Sequence, residues 1–214
     1  MIKAAIFDFD DTLLATRKTR FSALKKAAAD FGFSLIDKTI LKHWGKPFRQ
    51  LIKGILPKAN YRKFYPHYRK VMHDFPPQIL PGAKRLLKSM KKHNIQILLV
   101  SQSSYNLVKQ DMQEIGLWKY VAKLWASENR KYHKPDPRYV GPVLKFLKTQ
   151  KIPKENIVYF GDALSDFKVA KANNILFYAV LSGSLYSSAD FERAGLGKDR
   201  ILKSLKTCPL LGKL

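Results

Sequence analysis

Near its start the chain reads Lys3-Ala4-Ala5-Ile6-Phe7-Asp8-Phe9-Asp10-Asp11-Thr12-Leu13, an apolar run of strand length that leads directly into a cluster of carboxylates. Such a strand, buried in a parallel sheet, would place Asp8 and Asp10 at its carboxyl end, where open α/β sheets bind their ligands. Because residues two apart on an extended chain point the same way, these two carboxylates can converge on one site. Two anions this close repel each other, and a divalent cation relieves the repulsion. The stretch therefore favours a catalytic site, with an acidic surface turn as the alternative.

The length and composition of the chain indicate a globular protein. Its 214 residues are enough to bury a sizeable core, as one domain or as one domain with an insert. Hydrophobic residues make up 46% of the chain, too large a share for a disordered protein. The single cysteine, Cys208, excludes an intramolecular disulfide framework. The first apolar run is too short for a signal peptide and no stretch has the length of a membrane span, so we expect a soluble protein of the reducing cytoplasm.

The net charge is strongly positive and unevenly distributed. Forty Lys and Arg residues against sixteen Asp and Glu residues give a formal net charge of +24. Between Thr16 and Phe75, fifteen basic residues face three acidic ones, which leaves a net charge of +12 in that segment. A field of this sign attracts phosphorylated metabolites, nucleic acids or acidic membrane surfaces. A source organism whose proteins are generally basic would give the same charge without a specific partner, and both interpretations stay open.

Residues 16–79 are predicted to be all-helical. Apolar residues at helical spacing predict helices at 20–31, within 39–56 and at 61–74, the first of them ending at Gly32. No part of this segment shows the pattern of a strand. The segment is therefore interpreted as a helical insert.

Helices and strands alternate after Phe75-Pro76-Pro77. Further short apolar runs predict strands at 95–100, 121–125, 157–160 and 175–181. Helical patterns lie before and between these runs, at 83–93, 107–115, 137–150 and 166–173. The alternation predicts a doubly wound α/β fold, with a parallel sheet and helices on both of its faces. The predicted domains are an α/β core of residues 1–15 and 80–214 and a helical domain of residues 16–79.

Polar residues recur where the predicted strands end or where a turn precedes a helix. They are Asp8, Asp10, Ser101, Lys134, Asp162 and Asp166. Because the carboxyl ends of parallel strands lie along one edge of a sheet, we expect these distant residues to meet in one crevice. Each of them also has a structural alternative, such as a helix cap for Ser101 or a solvated side chain for Lys134.

Together these residues resemble the four motifs of the haloacid dehalogenase (HAD) superfamily, in their order and at its spacing. The stretch Asp8–Leu13 resembles the first motif, Ser101 the second, Lys134 the third and Gly161–Asp166 the fourth. The helical insert directly after the first motif, with its Gly45-Lys46-Pro47 turn, resembles the cap of the phosphoglycolate phosphatase and β-phosphoglucomutase branch. The resemblance covers essentially the whole chain and implies a HAD-like Rossmannoid core with a cap domain.

The resemblance also implies roles in phosphoryl transfer. Asp8 would attack phosphorus and form an aspartyl-phosphate, and Asp10 would protonate the leaving oxygen and later take a proton from the hydrolytic water. Mg²⁺ would be held by Asp8, the backbone carbonyl of Asp10 and Asp162. Ser101 and Lys134 would bind the phosphoryl oxygens.

Three further positions qualify this resemblance. Asp166 would support the site by orienting Lys134 or a metal-bound water. Gln102 stands where an Asn commonly follows the second motif, and Asp11 stands where many members carry Gly. Neither departure removes a reacting group.

The expected function is that of a Mg²⁺-dependent phosphatase acting on a small phosphorylated metabolite. A phosphomutase of the same fold would use the same residues and return the phosphoryl group to the substrate. Dehalogenases of the family lack the second acid of the first motif, so Asp10 argues against that activity. A different class, a nucleic-acid-binding protein on an idle HAD scaffold, would explain the charge of +24 but is disfavoured by the intact set of acids. No membrane partner is expected.

Substrate specificity in this branch resides in the cap. The candidates for touching substrate are basic residues just past the first motif and beside the Gly45–Pro47 turn, namely Arg17, Lys18, Arg20, Lys46 and Arg49.

Overall fold

A computed structural model describes residues 1–129 and 131–212. The chain forms two compact units. The core unit consists of Met1–Leu14 and Ile79–Leu214, and the helical unit consists of Ala15–Gln78. The helical domain predicted from the sequence, residues 16–79, begins and ends one residue later than this helical unit.

The described residues contain eight strands. They are β1 (Ala4–Asp8), β2 (Leu14–Ala15), β3 (Gln78–Ile79), β4 (Gln96–Val100), β5 (Lys123–Trp125), β6 (Ile157–Gly161), β7 (Leu176–Val180) and β8 (Ile201–Leu202). Six of them form a sheet in the order β5-β4-β1-β6-β7-β8, whose neighbouring strands are parallel. Strands β2 and β3 pair in a separate two-stranded sheet. The prediction that residues 16–79 contain no strand is therefore wrong at Gln78–Ile79.

Nine α-helices occur in the same described ranges. They are α1 (Arg17–Ala29), α2 (Asp37–Leu41), α3 (Phe48–Ile55), α4 (Tyr61–Val71), α5 (Ala83–Lys92), α6 (Tyr105–Glu114), α7 (Gly141–Thr149), α8 (Leu164–Ala172) and α9 (Ser188–Arg193). The helix predicted at 137–150 begins as a 3₁₀ turn over Pro137–Val140 before α7. Pro142 lies in the first turn of α7, where its missing N–H costs no hydrogen bond.

Strand β1 occupies the centre of the large sheet and is buried along its whole length. Its alternate residues face opposite sides, as the two-residue period of a strand requires. Ala5 and Phe7 belong to the hydrophobic cluster on one side, together with residues of α5 and α6. Ala4 and Ile6 belong to the cluster on the other side, together with residues of α7 and α8. The predicted doubly wound α/β core is confirmed.

The position of β1 explains where a site can form. Its neighbours are β4 on one side and β6 on the other, and Asp8 lies beside Val100 while Phe7 lies beside Phe160. The chain order reverses direction across the sheet at this point, and such a switch point opens a crevice at the carboxyl ends of the strands.

The helical unit has a hydrophobic core of its own. It is built from apolar residues of α1, α2, α3 and α4, with Leu24, Ile40 and Phe64 fully buried. In α4, Phe64 and Tyr68 face this core, while Tyr61 and Tyr65 are half-buried. Across residues 1–129 and 131–212, no helix has the length and apolar character that crossing a membrane would require.

Candidate active site

The turn after β1 is held by backbone hydrogen bonds that carry Asp8 to the edge of the sheet. The N–H of Leu13 donates to the carbonyl of Phe9 at 3.1 Å, and the N–H of Asp11 donates to the carbonyl of Leu14 at 2.8 Å. Asp11 has a φ of +57°, in the left-handed region that Gly adopts freely and Asp tolerates better than most residues. The Asp at this position, where the family often carries Gly, therefore preserves the shape of the turn.

A second loop contacts this turn from the end of β7. A Cβ atom built on Gly183 would lie 2.1 Å from the carbonyl oxygen of Asp11, closer than any side chain permits. The hydroxyl of Ser184 donates to the backbone carbonyl of Asp162. The loop therefore touches both the first and the fourth motif, which sequence reasoning did not foresee.

Lys134 lies between two buried carboxylates. Its Nζ is 2.7 Å from Oδ1 of Asp8 and 2.6 Å from Oδ1 of Asp166. The side chain of Lys134 is only 4% exposed, so neither contact is weakened by bulk water. The structure brings these three predicted residues, from motifs far apart in the chain, into one cluster.

Both oxygens of Asp166 already accept hydrogen bonds. Oδ1 receives the phenol of Tyr159 at 2.7 Å besides its contact with Lys134. Oδ2 receives the backbone N–H of Ala163 at 3.2 Å, at the start of α8. With its oxygens engaged in this way, Asp166 is suited to orienting Lys134.

Asp8, Asp162 and Asp166 each direct one carboxylate oxygen into a small volume, with these atoms within 4.8 Å of one another. Asp162 also accepts a hydrogen bond of 3.0 Å from the hydroxyl of Thr12. Three buried carboxylates stand against the single ammonium of Lys134, which leaves an excess of negative charge. An all-oxygen donor set with this excess fits a hard divalent cation such as Mg²⁺.

Burial, and after it the neighbouring negative charges, raises the pKa values of two carboxyl groups in this cluster. Burial raises the pKa of Asp8 to about 7, and the carboxylates of Asp166 and Asp10 add to that rise while Lys134 opposes it. Burial also raises the pKa of Asp162 well above its ordinary value, with further contributions from Asp8 and Asp166. Burial alone would lower the pKa of Lys134, but the carboxylates of Asp166 and Asp8 outweigh it and hold the pKa well above the ordinary lysine value.

Asp10 faces the loop that follows β4. The hydroxyl of Ser103 donates to Oδ2 of Asp10 at 2.6 Å, and the hydroxyl of Ser101 approaches the same oxygen at 3.5 Å. Ser101 is fully buried. The structure therefore brings Asp10 and Ser101 together as predicted and adds Ser103 to the pair.

The basic residues predicted to touch substrate all belong to the helical unit. Arg17, Lys18 and Arg20 lie in α1, and Arg20 is buried. The Nζ of Lys46 lies 3.4 Å from the ring nitrogen Nδ1 of His43. The Cζ of Arg49 lies over the ring of Tyr61, 5.6 Å from its centroid.

Four residues at the site escaped sequence reasoning, namely Thr12, Ser103, Tyr159 and Gly183. Thr12 lies within the first motif, and the resemblance implies no separate role for it. Tyr159 reads as one more apolar residue of a buried strand, and only the position of α8 reveals the partner of its hydroxyl. The position of Ser103 two residues after Ser101 was the sequence signal that could have indicated its place in the site.

Residues 5–180 of the chain match the family of haloacid dehalogenase-like hydrolases. The chain belongs to this family. The predicted HAD superfamily membership is thereby confirmed, and the chain is an enzyme of a hydrolase family, as expected. The match spans all four motifs and includes the helical unit.

Two relatives of this chain are named for the hydrolysis of phosphate compounds. A protein provisionally named pyrophosphatase PpaX, from Caldanaerobacter subterraneus subsp. tengcongensis, is 26% identical over 183 residues, which cover 84% of this chain and 81% of that protein. The phosphoglycolate phosphatase of Agrobacterium fabrum is 25% identical over 179 residues, covering 78% of this chain and 75% of the enzyme.

Among solved structures, CbbY from Rhodobacter sphaeroides in complex with xylulose-1,5-bisphosphate superposes with a TM-score of 0.81. Its sequence is 18% identical, and the match covers 98% of this chain and 97% of that one. At this identity the likeness shows the fold, which is the HAD-like core with a helical insert.

Proposed function

We propose that this HAD-family hydrolase is a Mg²⁺-dependent phosphatase that hydrolyses a small phosphorylated metabolite through an aspartyl-phosphate on Asp8. The observation that carries the proposal is the position of Asp8, at the end of β1, 2.7 Å from the ammonium of Lys134 and within the carboxylate cluster that includes Asp162. A carboxylate nucleophile needs a cation beside it to approach a phosphate dianion, and Lys134 supplies one. The names of the relatives, a phosphatase and a pyrophosphatase, support the substrate class.

In the first step an oxygen of Asp8 attacks phosphorus and the bond from phosphorus to the ester oxygen breaks. Asp10 gives its proton to the leaving oxygen, so that the product departs as an alcohol. In the second step a water oxygen attacks phosphorus while Asp10 takes the proton of that water. The bond from phosphorus to Asp8 breaks, which releases inorganic phosphate and restores the carboxylate.

Ser101 and Lys134 would bind the phosphoryl oxygens during both steps. The hydroxyl of Ser101 is buried at the carboxyl end of β4, and the ammonium of Lys134 is held by Asp8 and Asp166. Donors fixed in this way need no reorganisation as negative charge moves onto the phosphoryl group. Asp166 acts as a positioning residue for Lys134.

Mg²⁺ would be held by Asp8, the backbone carbonyl of Asp10 and Asp162. The uncompensated negative charge of the buried cluster supports this assignment. When bound, the cation supplies positive charge that keeps these carboxylates ionised and polarises the phosphoryl group.

The helical unit would supply specificity, through one or two of Arg17, Lys18, Arg20, Lys46 and Arg49. The net charge of +12 between Thr16 and Phe75 favours dianionic substrates. Exchange of each of the five for Ala should raise KM strongly at one or two positions, whereas Lys58→Ala and Lys70→Ala should change little. If all five variants keep wild-type kinetics, the basic charge of the helical unit is general surface charge.

A panel of phosphorylated metabolites tests the reaction class. The panel includes phosphoglycolate, sugar phosphates and pyrophosphate, each assayed for released inorganic phosphate with Mg²⁺ and with a chelator. We expect hydrolysis that requires Mg²⁺, with Ca²⁺ a poor substitute because it favours longer bonds and higher coordination. Conversion of a sugar phosphate to its isomer without phosphate release would identify a phosphomutase instead. Full hydrolysis in chelator would overturn the metal assignment.

Nucleic-acid binding is the competing class. Binding of duplex DNA is measured at several salt concentrations, and a slope of the logarithm of affinity against the logarithm of salt concentration near zero excludes it. Phosphatase activity together with such a slope supports the enzyme alone.

A further inference from the structure

The loop after β4 carries two serine hydroxyls that point at the same carboxylate oxygen at very different distances. Ser103 Oγ lies 2.6 Å from Oδ2 of Asp10, whereas Ser101 Oγ lies 3.5 Å from it. A hydroxyl that donates to a carboxyl oxygen at such a short distance makes a strong hydrogen bond. A separation of 3.5 Å is at the outer limit of hydrogen bonding. The two hydroxyls are therefore not equivalent.

The backbone of Ser103 is anchored at both of its polar groups. Its N–H donates to Oγ of Ser101 at 2.9 Å, and its carbonyl accepts the N–H of Ser127 at 3.1 Å. The second of these bonds ties the loop to the segment that follows β5. The two bonds fix the main chain of Ser103 within the core unit, and the bond to Asp10 fixes its hydroxyl.

We propose that Ser103 is a positioning residue for the general acid and base Asp10, an inference that rests on the proposed phosphatase function. Ser103 holds Oδ2 of Asp10 in place and thereby stops rotation of the carboxylate about its last side-chain bond. The proton that Asp10 transfers is then presented in one direction. Ser101, with only a long contact to Asp10, remains available to donate to a phosphoryl oxygen.

The test separates positioning of Asp10 from binding of phosphate by using two substrates. An alkyl phosphate has a poor leaving group that needs a proton from Asp10, whereas nitrophenolate leaves without one. We expect Ser103→Ala to lower kcat/KM for the alkyl phosphate by about tenfold, and that for nitrophenyl phosphate by less than about threefold, because kcat/KM reports the phosphorylation of Asp8 and only the alkyl phosphate needs a general acid in that step. Hydrolysis of the aspartyl-phosphate uses Asp10 as a base with either substrate and does not enter kcat/KM.

Three variants complete the comparison. Ser103→Thr keeps a hydroxyl at the same position and should restore kcat/KM for the alkyl phosphate. Ser104→Ala removes the neighbouring hydroxyl, which caps α6 by accepting the N–H of Leu107 at 3.4 Å, and should leave the ratio of the two kcat/KM values unchanged. In an Asp10→Asn background, Ser103→Ala should have no further effect on the alkyl phosphate, because the group that it positions has been replaced.

Specific outcomes would overturn the inference. Equal losses of kcat/KM on the two substrates, or wild-type kinetics for Ser103→Ala, each exclude positioning of Asp10 by Ser103. Equal losses that arise from a higher KM would instead identify Ser103 as a phosphate-binding residue. Failure of the proposed function is a different result, since the wild-type protein would then hydrolyse neither substrate.

Discussion

The phenol oxygen of Tyr159 lies 2.7 Å from Oδ1 of Asp166, to which it donates a hydrogen bond inside the fully buried part of the sheet. The same oxygen of Asp166 lies 2.6 Å from Lys134 Nζ, and this Nζ in turn lies 2.7 Å from Oδ1 of Asp8. A continuous chain of contacts thus runs from β6 to the proposed nucleophile at the end of β1. Each member restricts the next, so that the buried hydroxyl of Tyr159 bears on the position of the ammonium through Asp166.

Tyr159→Phe removes one hydrogen bond from Asp166 without changing the apolar packing of the ring. A buried carboxylate that loses a donor is destabilised, and we expect the free energy of unfolding to fall by about 1–3 kcal/mol. Because Lys134 is then less firmly oriented, kcat should fall by about tenfold, the lower end of the losses typical of residues that orient a metal ligand. Thermal unfolding and steady-state kinetics on the same substrate measure both effects.

Tyr178→Phe provides the matched control. Tyr178 lies on the neighbouring strand β7, in the hydrophobic cluster that contains Phe160, and its ring stacks on Phe160 at 5.5 Å between centroids. Loss of its hydroxyl should leave kcat unchanged. If both tyrosine variants lose the same activity, the effect is one of general packing and the chain through Asp166 has no special role.

Asp8→Asn tests the nucleophile directly. The substitution keeps the size of the side chain and removes both its charge and its ability to form an acyl phosphate, so kcat should fall by about a thousandfold or more while the fold is retained. Circular dichroism and thermal unfolding check the fold. With a radiolabelled substrate, label bound to the protein after an acid quench should be present in the wild type and absent in the variant. Activity within tenfold of the wild type would reject Asp8 as the nucleophile.

The stability of the metal-free protein should depend on pH through Asp8. Burial raises the pKa of Asp8 to about 7, whereas in the unfolded chain an Asp titrates near about 4. Between these values the folded protein keeps a proton that the unfolded chain has released, so the free energy of unfolding falls as pH rises, by at most about 1.4 kcal/mol per pH unit. Mg²⁺ binds the ionised carboxylate, and its stabilising effect should therefore grow over the same interval. Melting temperatures in chelator and in Mg²⁺, at about pH 5 and about pH 8, measure this dependence.

The Asp8→Asn variant isolates the contribution of Asp8 from that of Asp162, whose pKa is also raised. In chelator its stability should fall less steeply with rising pH than that of the wild type. An equal increase in melting temperature with Mg²⁺ at both pH values, in the wild-type protein, would mean that no carboxylate with a raised pKa holds the cation.

The arrangement of the core was predictable because a doubly wound sheet requires buried apolar strands that alternate with helices, and both patterns are visible in the sequence. The buried run before Asp8 and the alternation after Pro77 predict the parallel sheet, and the sheet brings Ser101 and Asp162 to the same edge as Asp8. Short elements were not predictable in this way. Strands β3 and β8 have two residues each, and the backbone that they pair with defines them more than their own side chains do.

The contacts within the site could not be predicted, because they depend on how the helices, strands and loops pack against one another. Lys134 is one of many lysines in the chain, and only its resemblance to the third motif distinguished it before the structure placed it between Asp8 and Asp166. Tyr159 could not be assigned a partner, because the face of β6 on which α8 packs is not visible in the sequence. Gly183 belongs to a loop without a motif, so its close approach to Asp11 could not be predicted from the sequence.

Gly183→Ala tests whether this approach holds the turn of the nucleophile. The new Cβ would lie 2.1 Å from the carbonyl oxygen of Asp11, so either the loop after β7 or the turn after β1 must move. Such crowding costs about 1–3 kcal/mol of stability, and a displacement of the turn by about 1 Å would lower kcat by up to a hundredfold.

Gly141→Ala is the control for Gly183→Ala, because a Cβ at Gly141 would meet no atom within 4 Å and the residue has the helical φ of −51°. It should leave kcat unchanged and raise the free energy of unfolding by up to about 1 kcal/mol, since Ala restricts the unfolded chain. If Gly183→Ala also keeps wild-type kcat and stability, the loop after β7 can withdraw freely and does not support the turn that carries Asp8. Loss of kcat with retained stability would locate the whole effect at the geometry of that turn.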